Sequence, residues 1–212
     1  AGEDLDAYPT DLDADLAVIG DESLYPELKS ALSGTKTRVA AGKRAVVEAA
    51  AASADWRMAA IVGAAGILPT LAAIEGGGTV ALANKESIVS AGPFMMKAVR
   101  KAGAMLLPVD SEHNAVFQVL DPAQRDRLSR IILTASGGPF LRRSREELAD
   151  IAPEEAVRHP NWSMGAKISI DSATMMNKSL EVIEAAYLFD VTDEKIDILI
   201  HPRCELLRRT LR

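Results

Sequence analysis

Two carboxylates, a hydroxyl and an imidazole follow directly on an apolar segment in LLPVDSEHNAVFQ, residues 106–118. The apolar part predicts a strand that ends where Asp110, Ser111, Glu112 and His113 begin. On an extended segment, residues two apart point to the same side, so the carboxylates of Asp110 and Glu112 would face one point. Such a pair, made only of oxygen ligands, favours Mg²⁺ or Mn²⁺ over zinc. The alternative is that Asp110 caps a helix with Glu112 in its first turn, and spacing alone favours this cap.

A third polar group could complete such a metal site. In NKSLE, the side chains of Asn177, Lys178 and Glu181 share one face of a predicted helix, because they are three or four residues apart. An amide, an ammonium and a carboxylate there could hold a polyol phosphate and add one metal ligand. The alternative is a solvated helix face with a single Lys–Glu pair. The apolar residues on both sides of NKSLE make a solvated face less probable.

Two further segments offer polar groups in loops. Ser136 and the two glycines after it end a predicted strand, and their hydroxyl and backbone N–H groups suit a phosphate oxygen. A plain turn is the alternative. HPNWSMG carries His159 and Trp162 and could close over a substrate, although a surface turn with a half-buried Trp is equally compatible. No two histidines are spaced like a zinc pair, and no GxSxG elbow indicates a serine hydrolase.

Short apolar strands alternate with helices through the first hundred residues. This alternation predicts an α/β fold with a parallel sheet that helices cover on both faces. We expect strands in DLAVIG, RVAAG, RMAAIVGAAG (a buried strand running into a glycine turn), TVALAN and AMLLPV, and helices in SLYPELKSAL, KRAVVEAAA, ILPTLAAIE and KESIVSAGPFMMKAVRKAG. Pro93 should interrupt or kink the last helix. Ligands bind at the carboxyl ends of such strands, where Asn84, Lys85 and Glu86 are expected to lie.

Later residues predict an α+β part. We expect a strand at residues 130–140, a short helix with a capping box at 144–151, and another helix at 153–159. A long helix should run from about Ser172 to Phe189, followed by a strand at 196–202.

The glycine pattern is incomplete for a dinucleotide-binding fold. VGAAG at residues 62–66 does not fit GxGxxG, so the opening strand and phosphate loop of a Rossmann unit are expected to be missing from this chain.

Composition excludes several classes of protein. The chain has 212 residues, of which 48% are hydrophobic, so a sizeable core is possible. No apolar run of about 18 residues predicts a membrane span. The net charge of −6, with scattered basic residues, argues against a nucleic-acid partner. The single cysteine fits a reducing compartment.

Taken together, these segments resemble the 1-deoxy-D-xylulose 5-phosphate reductoisomerase family. The resemblance is carried by AAIVGAAGILPTLAAI, LANKES, LLPVDSEHNAVFQ, ILTASGGPF and, above all, HPNWSMGAKISIDSATMMNKSLEVIEA. It implies a metal- and NADPH-dependent enzyme that rearranges 1-deoxy-D-xylulose 5-phosphate and reduces the product to 2-C-methyl-D-erythritol 4-phosphate, in non-mevalonate isoprenoid synthesis. The cation would be Mn²⁺ or Mg²⁺, and the intact protein would be a homodimer.

The resemblance also implies a role for each matching residue. The metal ligands would be Asp110, Glu112 and Glu181. The catalytic residues would be Lys85, Glu112, His159 and Glu181. Substrate contacts would come from Lys85, Ser111, Glu112, Ser136, His159, Ser172, Asn177, Lys178 and Glu181. NADPH contacts would come from Asn84, Glu86 and Gly165. Trp162 and Met164 would belong to a lid loop.

Departures from the family pattern lie at both ends. We expect residues 1–109 to form a partial, Rossmann-like NADPH-binding domain, residues 110–202 an incomplete catalytic and dimerisation domain, and residues 203–212 an aberrant tail, as from a frame shift.

The alternative to an enzyme is an inactive fragment that binds a sugar phosphate or a metal at most. An ordinary sugar dehydrogenase is a third possibility. For location, the bacterial cytoplasm is favoured, and a plastid stays open.

Overall fold

The computed structural model describes residues 14–159 and 164–201. These residues form two compact units. The N-terminal unit contains the described residues up to Ser87 together with Pro93–Leu107, and the C-terminal unit contains Ile88–Gly92 and the described residues from Pro108 onward. The assignment of cofactor binding and catalysis to two successive domains stays a prediction.

Short parallel strands and helices alternate in the first half of the chain. The elements are β1 (Leu16–Ile19), α1 (Tyr25–Ala31), β2 (Arg38–Ala41), α2 (Lys43–Ala50), β3 (Trp56–Ala59), α3 (Ile67–Glu75), β4 (Thr79–Leu82), α4 (Lys85–Ala102) and β5 (Met105–Pro108). β1 pairs with β2 in parallel, and a second sheet has the order β3-β4-β5 with β3 parallel to β4. The predicted α/β class with parallel strands is therefore confirmed.

The position of a strand in its sheet decides its burial. The side chains of Val80 and Leu82 on the central strand β4 are fully buried, and Ile74 of α3 is buried too. The strand expected in RMAAIVGAAG before a glycine turn is present as β3, but its expected burial is wrong, since both Trp56 and Met58 are exposed. β3 lies at the edge of its sheet, so only one side of it meets a neighbouring strand.

Two helix features that the sequence predicts in the N-terminal half are present in the structure. α3 ends at Gly76, and the next two glycines take positive φ angles of 73° and 72°. α4 carries the expected kink, which appears as a non-helical Ala91 (φ −136°) two residues before Pro93. Proline lacks the backbone N–H and crowds the preceding turn, which explains the break.

The second half of the chain has a smaller sheet and more helix. Its elements are α5 (Ser111–Val119), β6 (Ile131–Ala135), α6 (Pro153–Ala156), α7 (Ala166–Ala173), α8 (Met176–Phe189) and β7 (Ile196–Ile200). β6 and β7 pair in parallel. Their core consists of buried side chains from both strands and from α8, namely Ile131, Leu133, Ala185, Phe189 and Ile196. α8 therefore lies against this sheet and carries its polar residues at fixed positions.

One helix prediction in this half is wrong, and another is confirmed with a later start. Residues 144–151 form turns, although Ser144 and Glu147 do make the capping-box hydrogen bonds. The segment is almost entirely exposed, so no apolar face offsets the cost of starting a helix. The long helix expected from about Ser172 to Phe189 is confirmed as α8, which ends at Phe189 but begins only at Met176, because Met175 takes a left-handed conformation (φ 60°) between α7 and α8.

No helix in the described part of the chain is both long and apolar enough to cross a bilayer.

Candidate metal and substrate site

Asp110 is the N-cap of α5. Its side chain accepts a hydrogen bond from the backbone N–H of Glu112 at 3.3 Å, and Glu112 lies in the first turn. The cap interpretation is therefore right, and the extended geometry that would have aligned the two carboxylates is wrong. A capping carboxylate still leaves its second oxygen for another contact, so the cap does not exclude a metal site.

Three carboxylates from distant parts of the sequence meet in the C-terminal unit. One oxygen each from Asp110, Glu112 and Glu181 lies within 4.8 Å of the others. Asp110 and Glu112 stand at the start of α5, whereas Glu181 projects from α8 and its side chain is only 1% exposed. The packing of α5 and α8 in one unit thus creates a cluster of oxygen ligands that neither helix forms alone.

A buried ammonium group lies inside this cluster. The Nζ of Lys178, whose side chain is 5% exposed, donates to Glu112 at 2.9 Å and also to Glu181. Burial by itself lowers the pKa of Lys178, but the charges of Glu181 and Glu112 outweigh it, so the pKa is raised above its ordinary value. Lys178 is therefore a fixed positive charge at this point of the site. Asn177 donates to the other oxygen of Glu181.

The donor set fits a hard divalent cation. All three candidate ligands are carboxylate oxygens, which Mg²⁺ and Mn²⁺ prefer, and no cysteine belongs to the cluster. In their ionised forms, three carboxylates and one ammonium carry two net negative charges, which one divalent cation would neutralise. Asp110, Glu112 and Glu181 would hold the ion.

A buried pair behind the cluster escaped the sequence analysis. His113 is completely buried, and its Nδ1 lies 3.1 Å from the carboxylate of Glu184, which is also buried. Burial lowers the pKa of His113, but the hydrogen bond and charge of Glu184 outweigh this effect and raise it. The signal that could have found Glu184 is its position three residues after Glu181 on a helix of apolar residues, which places both carboxylates on one face.

The expected phosphate-binding residues also come together. Ser136 Oγ lies 3.0 Å from His159 Nε2, and the N–H of Gly138 donates to Ser136 Oγ at 3.3 Å. Gly138 has a φ of 69°, and a Cβ there would lie 2.6 Å from the carbonyl oxygen of Ser172, so only glycine fits between these segments. Partial burial lowers the pKa of His159, which favours the neutral imidazole.

The candidates near residue 85 lie in the N-terminal unit at the carboxyl end of β4. Asn84 caps α4: its oxygen accepts from the N–H of Ser87 at 2.7 Å, and its amide donates to the carbonyl of Gly63 at 3.0 Å. Its side chain is buried and joins two turns, so it shapes this end of the sheet. Lys85 and Glu86 begin α4 and are partly exposed.

The remaining candidates lie around the start of α7. Gly165 is the N-cap residue of α7 and is exposed, and Met164 precedes it. Trp162 of the predicted lid loop lies outside the described residues, and so does the tail at residues 203–212. Ser111 donates to Glu112 at the start of α5.

Comparisons with known proteins identify one family. The family model described as 1-deoxy-D-xylulose 5-phosphate reductoisomerase matches residues 3–92, and that of the same family's C-terminal domain matches residues 106–189. The chain is 63% identical over 187 residues to the reductoisomerase of Zymomonas mobilis, covering 88% of this chain and 48% of that protein. It is 60% identical over 189 residues to that of Rhodospirillum centenum, covering 89% and 47%.

Solved structures agree with these relatives. The Zymomonas mobilis reductoisomerase in complex with NADPH superimposes with a TM-score of 0.84 at 59% identity, over 90% of this chain and 49% of that one. A reductoisomerase in complex with NADPH, fosmidomycin and magnesium also gives 0.84, at 44% identity, over 90% and 50%. The chain thus spans about half the length of the curated relatives it matches.

Proposed function

The chain belongs to the 1-deoxy-D-xylulose 5-phosphate reductoisomerase family, and from this premise we propose that it carries the metal and substrate site of such an enzyme. The whole protein would convert 1-deoxy-D-xylulose 5-phosphate to 2-C-methyl-D-erythritol 4-phosphate with NADPH and a divalent cation. The single observation that carries this proposal is the meeting of Asp110, Glu112 and Glu181 in one cluster of oxygen ligands. Family relatives crystallised with magnesium and with NADPH support it.

The carboxylate cluster would bind the ion, and the reacting end of the substrate would lie beside the ion. When bound, Mg²⁺ or Mn²⁺ supplies Lewis acidity toward substrate oxygens. Lys178 adds a positive charge. Its ammonium group can pair with an anionic group of the substrate when its contact with Glu112 or Glu181 is broken. Asn177 and Ser111 contribute neutral hydrogen-bonding groups at the edges of the cluster. These side chains orient a polyol by hydrogen bonds and charge.

The second group of side chains would hold the phosphate. Ser136 offers a hydroxyl, Gly138 has a backbone N–H that donates to this hydroxyl in the structure, and Ser172 lies next to Gly138. His159 is hydrogen-bonded to Ser136 and can give or take a proton at that point. Hydroxyl and backbone N–H donors suit a phosphate oxygen without requiring a fixed charge.

Asn84 and Glu86 in the N-terminal unit would contact NADPH, and so would Gly165 in the C-terminal unit. Because the side chain of Asn84 is occupied by the turns it joins, its contribution would be to hold the Gly63–Gly66 segment in place. A module that binds a sugar phosphate and a metal without turnover is the second candidate, because the same carboxylate cluster would serve it.

Turnover separates the two candidates. The chain is mixed with 1-deoxy-D-xylulose 5-phosphate, Mn²⁺ and NADPH, and the absorbance of the reduced cofactor is followed. Oxidation of NADPH that is lost in Glu181→Gln but kept in Glu194→Gln supports the enzyme. The control makes the same chemical change at an exposed position. Mn²⁺ binding without NADPH oxidation supports the binding module.

The carbon skeleton of the product tests the reaction class. A reductoisomerase gives a branched product, whereas an ordinary sugar dehydrogenase leaves the chain of carbons unbranched. NMR of the product distinguishes them, and an unbranched product would contradict the proposal.

The proposal extends to assembly and location. The whole protein would be a homodimer in the bacterial cytoplasm. The exposed Ile132 and Leu199 on the β6–β7 sheet support a contact between copies of the chain. Light scattering of the full-length protein would give its mass in solution, and a monomer at all concentrations would exclude the dimer.

A further inference from the structure

One imidazole touches both helices that supply the carboxylates of the proposed metal site. His113 lies in the first turn of α5, one residue after Glu112, and is completely buried. Its Nε2 lies 2.9 Å from the backbone carbonyl of Glu181 on α8. Its Nδ1 lies 3.1 Å from the Glu184 carboxylate and 3.8 Å from that of Asp110.

The two ring nitrogens must act on different partners. A backbone carbonyl only accepts hydrogen bonds, so Nε2 carries the hydrogen that is donated to Glu181. Nδ1 and the Oε2 of Glu184 lie 3.1 Å apart, within ion-pair distance, and neither atom makes a hydrogen bond to any other group among the described residues. A protonated ring and an ionised carboxylate would attract each other across this distance. Removal of either would leave the other buried and unpaired, which is costly in a protein interior.

These contacts fix one helix against the other beside the carboxylate cluster. The bond from Nε2 holds the backbone of Glu181, and Glu184 holds the ring one helical turn further along α8. The same ring stands three residues after Asp110, the cap of α5. His113 therefore links the start of α5, where Asp110 lies, to the part of α8 that carries Glu181.

We infer that His113 and Glu184 are positioning residues that hold Asp110 and Glu181 at the spacing needed to bind a divalent cation. This inference rests on the proposed function, because it gives the pair a purpose only if the cluster binds metal. Groups that orient metal ligands from behind commonly change metal affinity about 10–100-fold when removed. The pair should act on metal affinity beyond any effect on folding.

A competing interpretation makes His113 and Glu184 ligands of a second ion with Asp110. Single atoms of these three residues also lie within 4.8 Å of one another. The 3.1 Å between Nδ1 and Glu184 is, however, the length of a direct hydrogen bond, and both side chains are buried away from solvent. The attraction between a protonated ring and a carboxylate accounts for this contact without an ion.

The test is the Mn²⁺ affinity of substituted chains, measured by electron paramagnetic resonance of free Mn²⁺ at a temperature where near-UV circular dichroism shows every variant folded. His113→Leu and Glu184→Leu should bind Mn²⁺ about tenfold or more weakly. His113→Gln should regain part of that loss, because its amide can still donate to the Glu181 carbonyl. Glu184→Gln keeps the shape and one hydrogen bond, and should lie between the unsubstituted chain and Glu184→Leu.

Leu133→Ala is the matched control for lost stability. Leu133 is buried in the core that α8 covers. Its side chain is apolar and cannot form a hydrogen bond with the carboxylates. Its loss should lower the midpoint of thermal unfolding while leaving Mn²⁺ affinity within about twofold, because no group beside the ligands changes.

Three outcomes would overturn the inference, and they are distinguishable. If His113→Leu and Glu184→Leu bind Mn²⁺ as tightly as Leu133→Ala, the positioning role falls and the metal site stands. If two Mn²⁺ bind per chain and one is lost in His113→Leu, the pair consists of ligands. If the unsubstituted chain binds no more Mn²⁺ than Glu181→Gln, the proposed metal site and this inference fall together.

Discussion

Two lysines in the C-terminal unit pair with carboxylates of their own helices at almost the same spacing. Lys167 and Asp171 are four residues apart on α7, 2.7 Å between charges, and the lysine side chain is 51% exposed. Lys178 and Glu181 are three residues apart on α8, but here the lysine is 5% exposed and also reaches Glu112 of another helix. Spacing along a helix thus allows an ion pair in both cases. The two pairs differ in burial, and the buried pair of Lys178 and Glu181 is the one that belongs to the candidate metal site.

The two ion pairs should contribute differently to the free energy of unfolding, because one is exposed and the other is buried. An exposed pair contributes about 0.2–1 kcal/mol, because water and salt screen the charges. Removing one member of a buried pair costs about 3–5 kcal/mol, because the remaining charge is left without compensation.

Lys178→Met should therefore destabilise the chain most. We expect a loss of about 3 kcal/mol in the free energy of unfolding, since the Glu181 and Glu112 carboxylates would then face each other without the ammonium. Urea unfolding in a metal-free buffer measures it. A loss as small as that of an exposed pair would show that the cluster is solvated in spite of its burial.

Mn²⁺ should reverse part of that loss. Without the ammonium, the carboxylates attract a divalent cation more strongly, and each tenfold gain in affinity adds about 1.4 kcal/mol of stabilisation at saturating metal. The rise in melting temperature on adding Mn²⁺ should be larger in Lys178→Met than in the unsubstituted chain. An equal or smaller rise would mean that Lys178 assists cation binding.

Stability should also depend on pH through the other buried basic group. The pKa of His113 is raised in the folded chain above its ordinary value of 6.5, against the effect of burial, by Glu184 and Asp110. A raised pKa contributes stability that is fully present below the unfolded value and is lost as the pH rises through the folded value. As the pH rises above 6.5, the unfolding midpoint should therefore fall because of this group.

Glu184→Gln should flatten that dependence, because it removes the carboxylate that favours the charged imidazole. Glu194→Gln, at an exposed position, should keep it. An unchanged slope in Glu184→Gln would indicate that another group titrates in this range.

Lys167→Met should have the smallest effect. The same substitution as at Lys178 removes a lysine whose side chain is 51% exposed, and we expect a loss of about 0.5 kcal/mol or less in the free energy of unfolding. It should leave the Mn²⁺ affinity unchanged. A loss comparable to that of Lys178→Met would mean that burial does not separate the two pairs.

Local signals in the sequence were sufficient for several elements. α3 covers residues 67–75 as predicted, because its apolar pattern is followed at once by three glycines that end a helix. The kink before Pro93 and the cap at Asp110 are likewise local, since each depends on a side chain and its immediate backbone. These features need no knowledge of distant residues.

Other predictions failed where distant packing decides. The turns at residues 144–151 form the local capping box but pack no apolar face, so the helix does not continue. Met175 takes a left-handed conformation between α7 and α8, but methionine does not favour this conformation and the adjacent residues did not predict a break in the helix. The exposed β3 reflects its place at the edge of a sheet, which its apolar sequence does not reveal.

The sequence by itself determined which chemical groups are available: acidic side chains at a helix start, and an amide, an ammonium and a carboxylate on one face of α8. Only the tertiary structure decided that Glu181 and Glu112 share Lys178, and that His113 and Glu184 stand behind them. The physical reason is that helical periodicity fixes neighbours three or four residues apart, whereas contacts across about 70 residues depend on how α5 and α8 bury their apolar faces against one core.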